Sequence, residues 1–82
     1  MTIPLHGFLQ GDTIGLLILA EANDTVRGLA SRLQRAASVR VAPRPDDRAR
    51  VLYRGKPLDP DLTLAHAGIE PLDRFDVIFE SE

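Results

Sequence analysis

The sequence predicts an α+β fold, with a mixed sheet of four or five strands packed on one helix. Three observations carry that expectation. Two β-rich apolar runs meet at Gly11-Asp12, the stretch from Val26 to Ala37 repeats its apolar residues at helical steps, and the chain closes on an alternating run, FDVIF. Eighty-two residues suffice for one core and no more, because a chain this short buries only about 60% of the surface its unfolded form exposes. A single domain over residues 1–82 is expected.

Each element has its own signal. Ile3, Leu5 and Leu9 alternate with Pro4, His6 and Gln10, a strand pattern, and Gly11-Asp12 supplies turn chemistry before the second run, TIGLLILA at residues 13–20. Asp24 or Thr25 is placed to cap a helix in which Val26, Leu29, Ala30, Leu33 and Ala37 form the buried stripe and Arg27, Arg32 and Arg35 the outer one. Burying Val26, Leu29 and Leu33 is worth roughly 1.5–3 kcal/mol each, which outweighs the roughly 1 kcal/mol that Gly28 costs. Residues 39–47, with Pro43 and Pro45, read as an ordered loop. Arg50 to Arg54 reads as a strand, Gly55 as a tight turn, and Lys56-Pro57-Leu58 as a very short edge strand. Thr63 caps one helical turn, LAHA, that Gly68 ends, and Phe75 to Phe79 is the last strand.

Composition excludes several functions. With no cysteine there is no disulfide, thiolate metal site or cysteine nucleophile. The start MTIPLHGF has no signal-peptide pattern, and no apolar stretch approaches the roughly 20 residues of a membrane span, so a cytoplasmic protein with no membrane partner is expected. Residues 27–56 hold nine of the ten basic residues against Asp46 and Asp47 alone. Tyr53 is the one aromatic among them, too few rings for base stacking, so no nucleic-acid partner is expected and an acidic protein surface is the better match.

The element order, together with TLAHAGIEPLDRFDVIF, resembles the ubiquitin-like β-grasp fold, in which the first and last strands lie side by side at the sheet centre. Almost the whole chain is similar to the ubiquitin-like γ subunit of the hydroxylase in bacterial multicomponent toluene, benzene and alkene di-iron monooxygenases. IPLHGFL, the step through Asn23-Asp24, the loop Arg40-Val41-Ala42-Pro43-Arg44 and the ending TLAHAGIEPLDRFDVIFE carry the likeness, while Tyr53 to Asp61 is similar to ubiquitin-like sequences in general. The resemblance implies a non-catalytic subunit that docks on and supports a large subunit. It implies α and β partners in a two-fold αβγ assembly, served by an effector protein, a Rieske ferredoxin and an NADH-dependent reductase. No cofactor is expected in this chain, because the resemblance places the di-iron centre in the large subunit. The alternative is a stand-alone bacterial ubiquitin-like adaptor, for example of a secretion apparatus.

The residues agree with the absence of catalysis. Ubiquitin-like modifiers and sulfur carriers end in a flexible Gly-Gly, whereas this sequence ends Phe79-Glu80-Ser81-Glu82. A di-iron site of the carboxylate type needs Glu-x-x-His on helices, and neither His6 nor His66 has a glutamate three residues before it. Ser31 and Ser38 lack a histidine and carboxylate nearby, and Gly7, Gly11 and Gly15 read as hairpin glycines rather than a phosphate loop. For Asp73, Asp76, Glu80 and Glu82 a solvated acidic face outweighs a cation site.

Alternation assigns Ile3, Leu5, Leu16, Ile18, Val51, Tyr53, Phe75, Val77 and Phe79 to the helix side, with Val26, Leu29, Leu33, Leu58, Leu64 and Ile69. It sends Phe8, Leu17, Leu19, Leu52 and Ile78 to the opposite sheet face, which no second helix covers. These five, with Arg40 and Arg44 as charged anchors at the rim, form the expected partner-binding surface.

Overall fold

The computed structural model describes residues 2–80; the acidic ending read from the sequence includes Ser81 and Glu82, which lie outside them. Five strands, β1 (Thr2–Leu9), β2 (Leu16–Glu21), β3 (Ala49–Tyr53), β4 (Lys56–Pro57) and β5 (Arg74–Phe79), form one sheet in the order β2-β1-β5-β3-β4. β1 and β5 pair in parallel at its centre and the other neighbours are antiparallel. Helix α1 (Val26–Ala36) covers one face, and α2 (Leu64–Ala67) is a single turn beside it.

Local chemistry explains where the elements start and stop. The second strand begins at Leu16 rather than Thr13, because Asp12 Oδ1 accepts the Ile14 N–H at 3.2 Å and turns residues 12–14 away from extended pairing. The Thr25 hydroxyl accepts the Gly28 N–H at 3.0 Å and starts α1; Thr63 does the same for His66 in α2, which Gly68 ends at φ 78°. β3 stops at Tyr53, one residue earlier than the sequence suggests. Arg54 (φ 55°) and Gly55 (φ 79°) together form a two-residue turn of the kind that matches strand twist. Within the loop after α1, residues Asp46–Arg48 form a 3-10 turn that the proline-rich composition did not suggest.

The expected core residues on the helix side are buried, except that Leu16, Leu58 and Phe79 lie half-buried at its margin. Leu9, Ala20, Ala30, Ala37 and Ala49 complete it. Gly7 is not a hairpin glycine but a mid-strand one. A Cβ there would stand 2.7 Å from Phe75 Cζ and 3.0 Å from Leu33 Cδ1, so its bare backbone is what seats the Phe75 ring between sheet and helix.

Two polar clasps fix what the apolar core does not. Gln34 is the one buried polar residue of the described set, and its amide closes on the Arg44 peptide from both sides. Its Oε1 accepts the Arg44 N–H at 2.8 Å, and its Nε2 donates to the Arg44 carbonyl and to Asp46 Oδ1, each at 3.0 Å. The Tyr53 hydroxyl donates to Asp73 Oδ2, which also accepts the Glu70 N–H at 3.0 Å, and so pins the segment between α2 and β5. The Tyr53 hydroxyl holds the Asp73 carboxyl below the ordinary carboxylate range, and the Glu70 N–H adds to this. The carboxylate in turn, with burial, pushes the Tyr53 phenol up.

Gln34→Ala leaves the Arg44 peptide without partners and is expected to cost about 2 kcal/mol in denaturant unfolding. For the second clasp the signs are opposite. A lowered Asp73 contributes stability that is complete above its unfolded pKa, near ~3.9, and is lost as pH falls through its folded value; a raised Tyr53 contributes stability that is complete below ~10 and is lost as pH rises beyond. Tyr53→Phe is expected to cost about 1 kcal/mol at neutral pH, with the difference from the parent shrinking at both extremes of an unfolding series across pH.

Candidate functional site

The outer face of the sheet is built by the strand registers. Leu19 of β2 lies opposite Pro4 of β1, and Leu17 opposite His6, which in turn faces Arg74 of β5. Further along, Phe8, Asp76, Leu52 and Pro57 form one row across four strands, and Ile78 lies opposite Arg50. Phe8, Leu17, Leu19, Leu52 and Ile78 therefore do share this face. Leu17 is 60% exposed, Leu19 57% and Ile78 38%, while Phe8 and Leu52 are half-buried.

The face is not one apolar sheet. Arg74 Nε bonds Asp76 Oδ1 at 3.0 Å, and the Arg74 guanidinium lies 4.0 Å over the Phe8 ring. This ion pair forms a charged seam along β5, with Leu17, Leu19 and Pro4 to one side, Leu52 to the other, and Ile78 farther along β5 itself. Phe8 is further enclosed by Gly15, where a Cβ would come within 2.6 Å of the ring. Two shallow hollows flank the seam. One of about 240 Å³ is lined by Phe8, Gln10, Asp76 and Ile78 among others, and one of about 270 Å³ by Leu52, Tyr53, Arg54, Asp73 and Arg74 among others.

Arg40 and Arg44 are not brought together with those five. Arg40 places Nε and one terminal nitrogen 3.2 and 2.8 Å from the two carboxylate oxygens of Asp12, whose side chain is almost wholly buried. That fork ties the loop after α1 to the β1–β2 turn, and it holds the Asp12 carboxyl below its ordinary range. Arg44 lies 4.8 Å over the Phe79 ring, on the helix side of the sheet. Alternation cannot place either residue, because both sit in a loop whose course is set by Gln34 and Asp12.

Pattern reading also missed three exposed apolar residues: Ile14 in the β1–β2 loop, Val39 after α1 and Leu72 before β5. Leu72 is the informative one. It is 63% exposed, holds φ at 68°, and donates its N–H to the Pro4 carbonyl at 2.6 Å, which sets it next to the Pro4–Leu19 row. A left-handed conformation costs a leucine roughly 1–2 kcal/mol. A leucine inside a turn motif was the available signal.

The other candidate groups have local duties. Thr63 Oγ1 and His66 Nδ1 are 2.7 Å apart, so His66 belongs to the cap of α2. His6 is exposed on the outer face. Asp73, Asp76 and Glu80 are engaged by Tyr53, Arg74 and Arg50 respectively. Among the described residues no group of three or more histidine or acidic side chains is placed to hold a metal ion.

Comparison with known proteins places this arrangement in a family. A family model described as toluene-4-monooxygenase system protein B (TmoB) matches residues 2–79. The hydroxylase component subunit gamma of the toluene-4-monooxygenase system from Ectopseudomonas mendocina is 30% identical over 79 residues, covering 94% of each chain. A chain of the solved toluene 4-monooxygenase HD complex with the inhibitor 4-bromobenzoate superimposes with a TM-score of 0.88 at 27% identity, over 98% of this chain and 100% of that one. A Caldiarchaeum subterraneum ubiquitin, 20% identical with a TM-score of 0.80 over 100% of this chain and 98% of its own, shares the fold. The chain belongs to the toluene-4-monooxygenase system protein B family, the ubiquitin-like small γ subunits of the hydroxylase component.

Proposed function

We propose that this chain serves as the non-catalytic γ subunit of a di-iron hydroxylase acting on aromatic or alkene substrates, and that it docks on the large subunit through the outer sheet face. The observation that carries the docking reading is the uncovered set Leu17, Leu19, Leu72 and Ile78, four large apolar side chains on or beside a face with no second layer. A monomer rarely leaves such a set open, and covering it contributes on the order of 1 kcal/mol per side chain. The seam of Arg74 and Asp76 sets the register of docking, since a partner must meet that ion pair with polar groups or leave it desolvated.

On this reading the iron, oxygen activation and substrate pocket belong to the large subunit, and this chain contributes assembly and mechanical support. An α and β subunit in a two-fold αβγ assembly are the direct partners, and an effector protein, a Rieske ferredoxin and an NADH-dependent reductase serve the complex in the cytoplasm. Among the described residues no helix is long and apolar enough to cross a membrane.

Leu52→Asp with Ile78→Asp, and separately Leu17→Asp with Leu19→Asp, are expected to keep the fold by circular dichroism and to abolish co-purification with the hydroxylase α and β subunits. Unchanged assembly in both pairs would sink the sheet-face proposal.

A further inference from the structure

The loop between α1 and the Asp46–Arg48 turn is anchored far more heavily than a connector requires. Gln34, buried in α1, grips the Arg44 peptide from both sides and reaches Asp46; Arg40 forks onto Asp12; the Val41 and Arg40 N–H groups return to the Ala37 carbonyl at 3.0 and 2.9 Å. Pro43 and Pro45 stiffen what lies between. All of this order is internal, yet what it presents outward is apolar and basic. Val39 is 84% exposed, the highest of the large apolar residues. Among the described residues neither Arg35 nor Arg44 has a carboxylate within ion-pair distance. The acidic groups Asp12 and Asp46 are turned onto Arg40 and Gln34.

We infer that residues 35–45 form a second, preorganised docking surface, separate from the outer sheet face, which takes an acidic segment of a hydroxylase partner with an apolar side chain against Val39 and carboxylates against Arg35 and Arg44. This rests on the reading of the chain as a hydroxylase subunit. A loop already fixed in its bound shape loses little entropy on binding, which is the advantage of the Gln34 and Asp12 anchors. The two cations, without a carboxylate partner among the described residues, supply attraction that salt screens, Arg44 from where it lies over the Phe79 ring.

The test uses the hydroxylase reconstituted from its own α and β subunits with this chain, and measures the affinity of the chain by titration at low and high salt. Arg35→Glu with Arg44→Glu, and separately Val39→Asp, should unfold at the parent temperature yet bind about tenfold more weakly, with the charge pair also flattening the salt dependence. Lys56→Glu, at the opposite end of the sheet, should bind as the parent does. Parent-like affinity and salt dependence in the loop variants would overturn the proposal, and so would an equal loss in Lys56→Glu, which would show a general field in place of a surface. Failure of the loop variants alone leaves the sheet-face reading intact. A parent chain that does not associate with the α and β subunits overturns both.

Discussion

The parallel pairing of the first and last strands is the constraint on which the rest of the molecule depends. β1 and β5 are distant in sequence, and their ladder is extended at both ends. The Leu72 N–H reaches the Pro4 carbonyl, the His6 N–H the Asp73 carbonyl, the Gln10 N–H the Val77 carbonyl, and the Phe79 N–H the Gln10 side chain at 2.7 Å. Parallel strands cannot be joined by a tight turn, so everything between them must serve as the crossover. α1 is the part of that crossover that covers the sheet, and Phe75 of β5 and Leu33 of α1 both close on the bare backbone of Gly7. The close approach of ring, helix and strand fixes the helix over the two central strands.

Covering one face leaves the other without a second layer. The sheet has a single helical layer, so half of its side chains have no internal partner by construction. Charge and apolar surface are interleaved there: Arg74 spends its guanidinium on Phe8 and Asp76, which protects one aromatic while leaving the leucines of β2 exposed. A face built in this way tolerates water while keeping its apolar side chains next to a charged seam. The left-handed Leu72 belongs to the same economy, since a conformation that a leucine adopts at a cost is kept at the margin of that face.

The polar clasps show how small domains hold long connections. Without disulfides, the loop after α1 is fixed by one buried amide and one enclosed carboxylate: Gln34 holds the Arg44 peptide and Asp46, and Asp12 takes the Arg40 fork together with the Ile14 N–H. Gln34 falls on the buried side of a helix where a hydrophobic residue would be ordinary, and its presence there is explained by the peptide it holds.

By itself the sequence determined the element order, the helix with a cap at Asp24 or Thr25, the α2 turn between Thr63 and Gly68, the inward alternation of Ile3, Leu5, Val51, Phe75 and Val77, and the family likeness in the RVAPR and FDVIFE passages. These are local properties: periodicity, capping chemistry and turn residues act within a few positions and leave their mark in the order of amino acids. The tertiary structure alone decided the rest. That Gly7 seats a core ring, that Arg40 serves Asp12 and Arg44 covers Phe79, that Gln34 clamps a loop ten residues on, and that Arg74 lies over Phe8 on the outer face all depend on contacts between segments whose separation along the chain carries no periodic signal. The same limit applies to the outer sheet face. Alternation placed its five residues on that face, but only the registers of β1, β2, β3 and β5 show which of them are neighbours, which are shielded, and that Leu72 stands beside them.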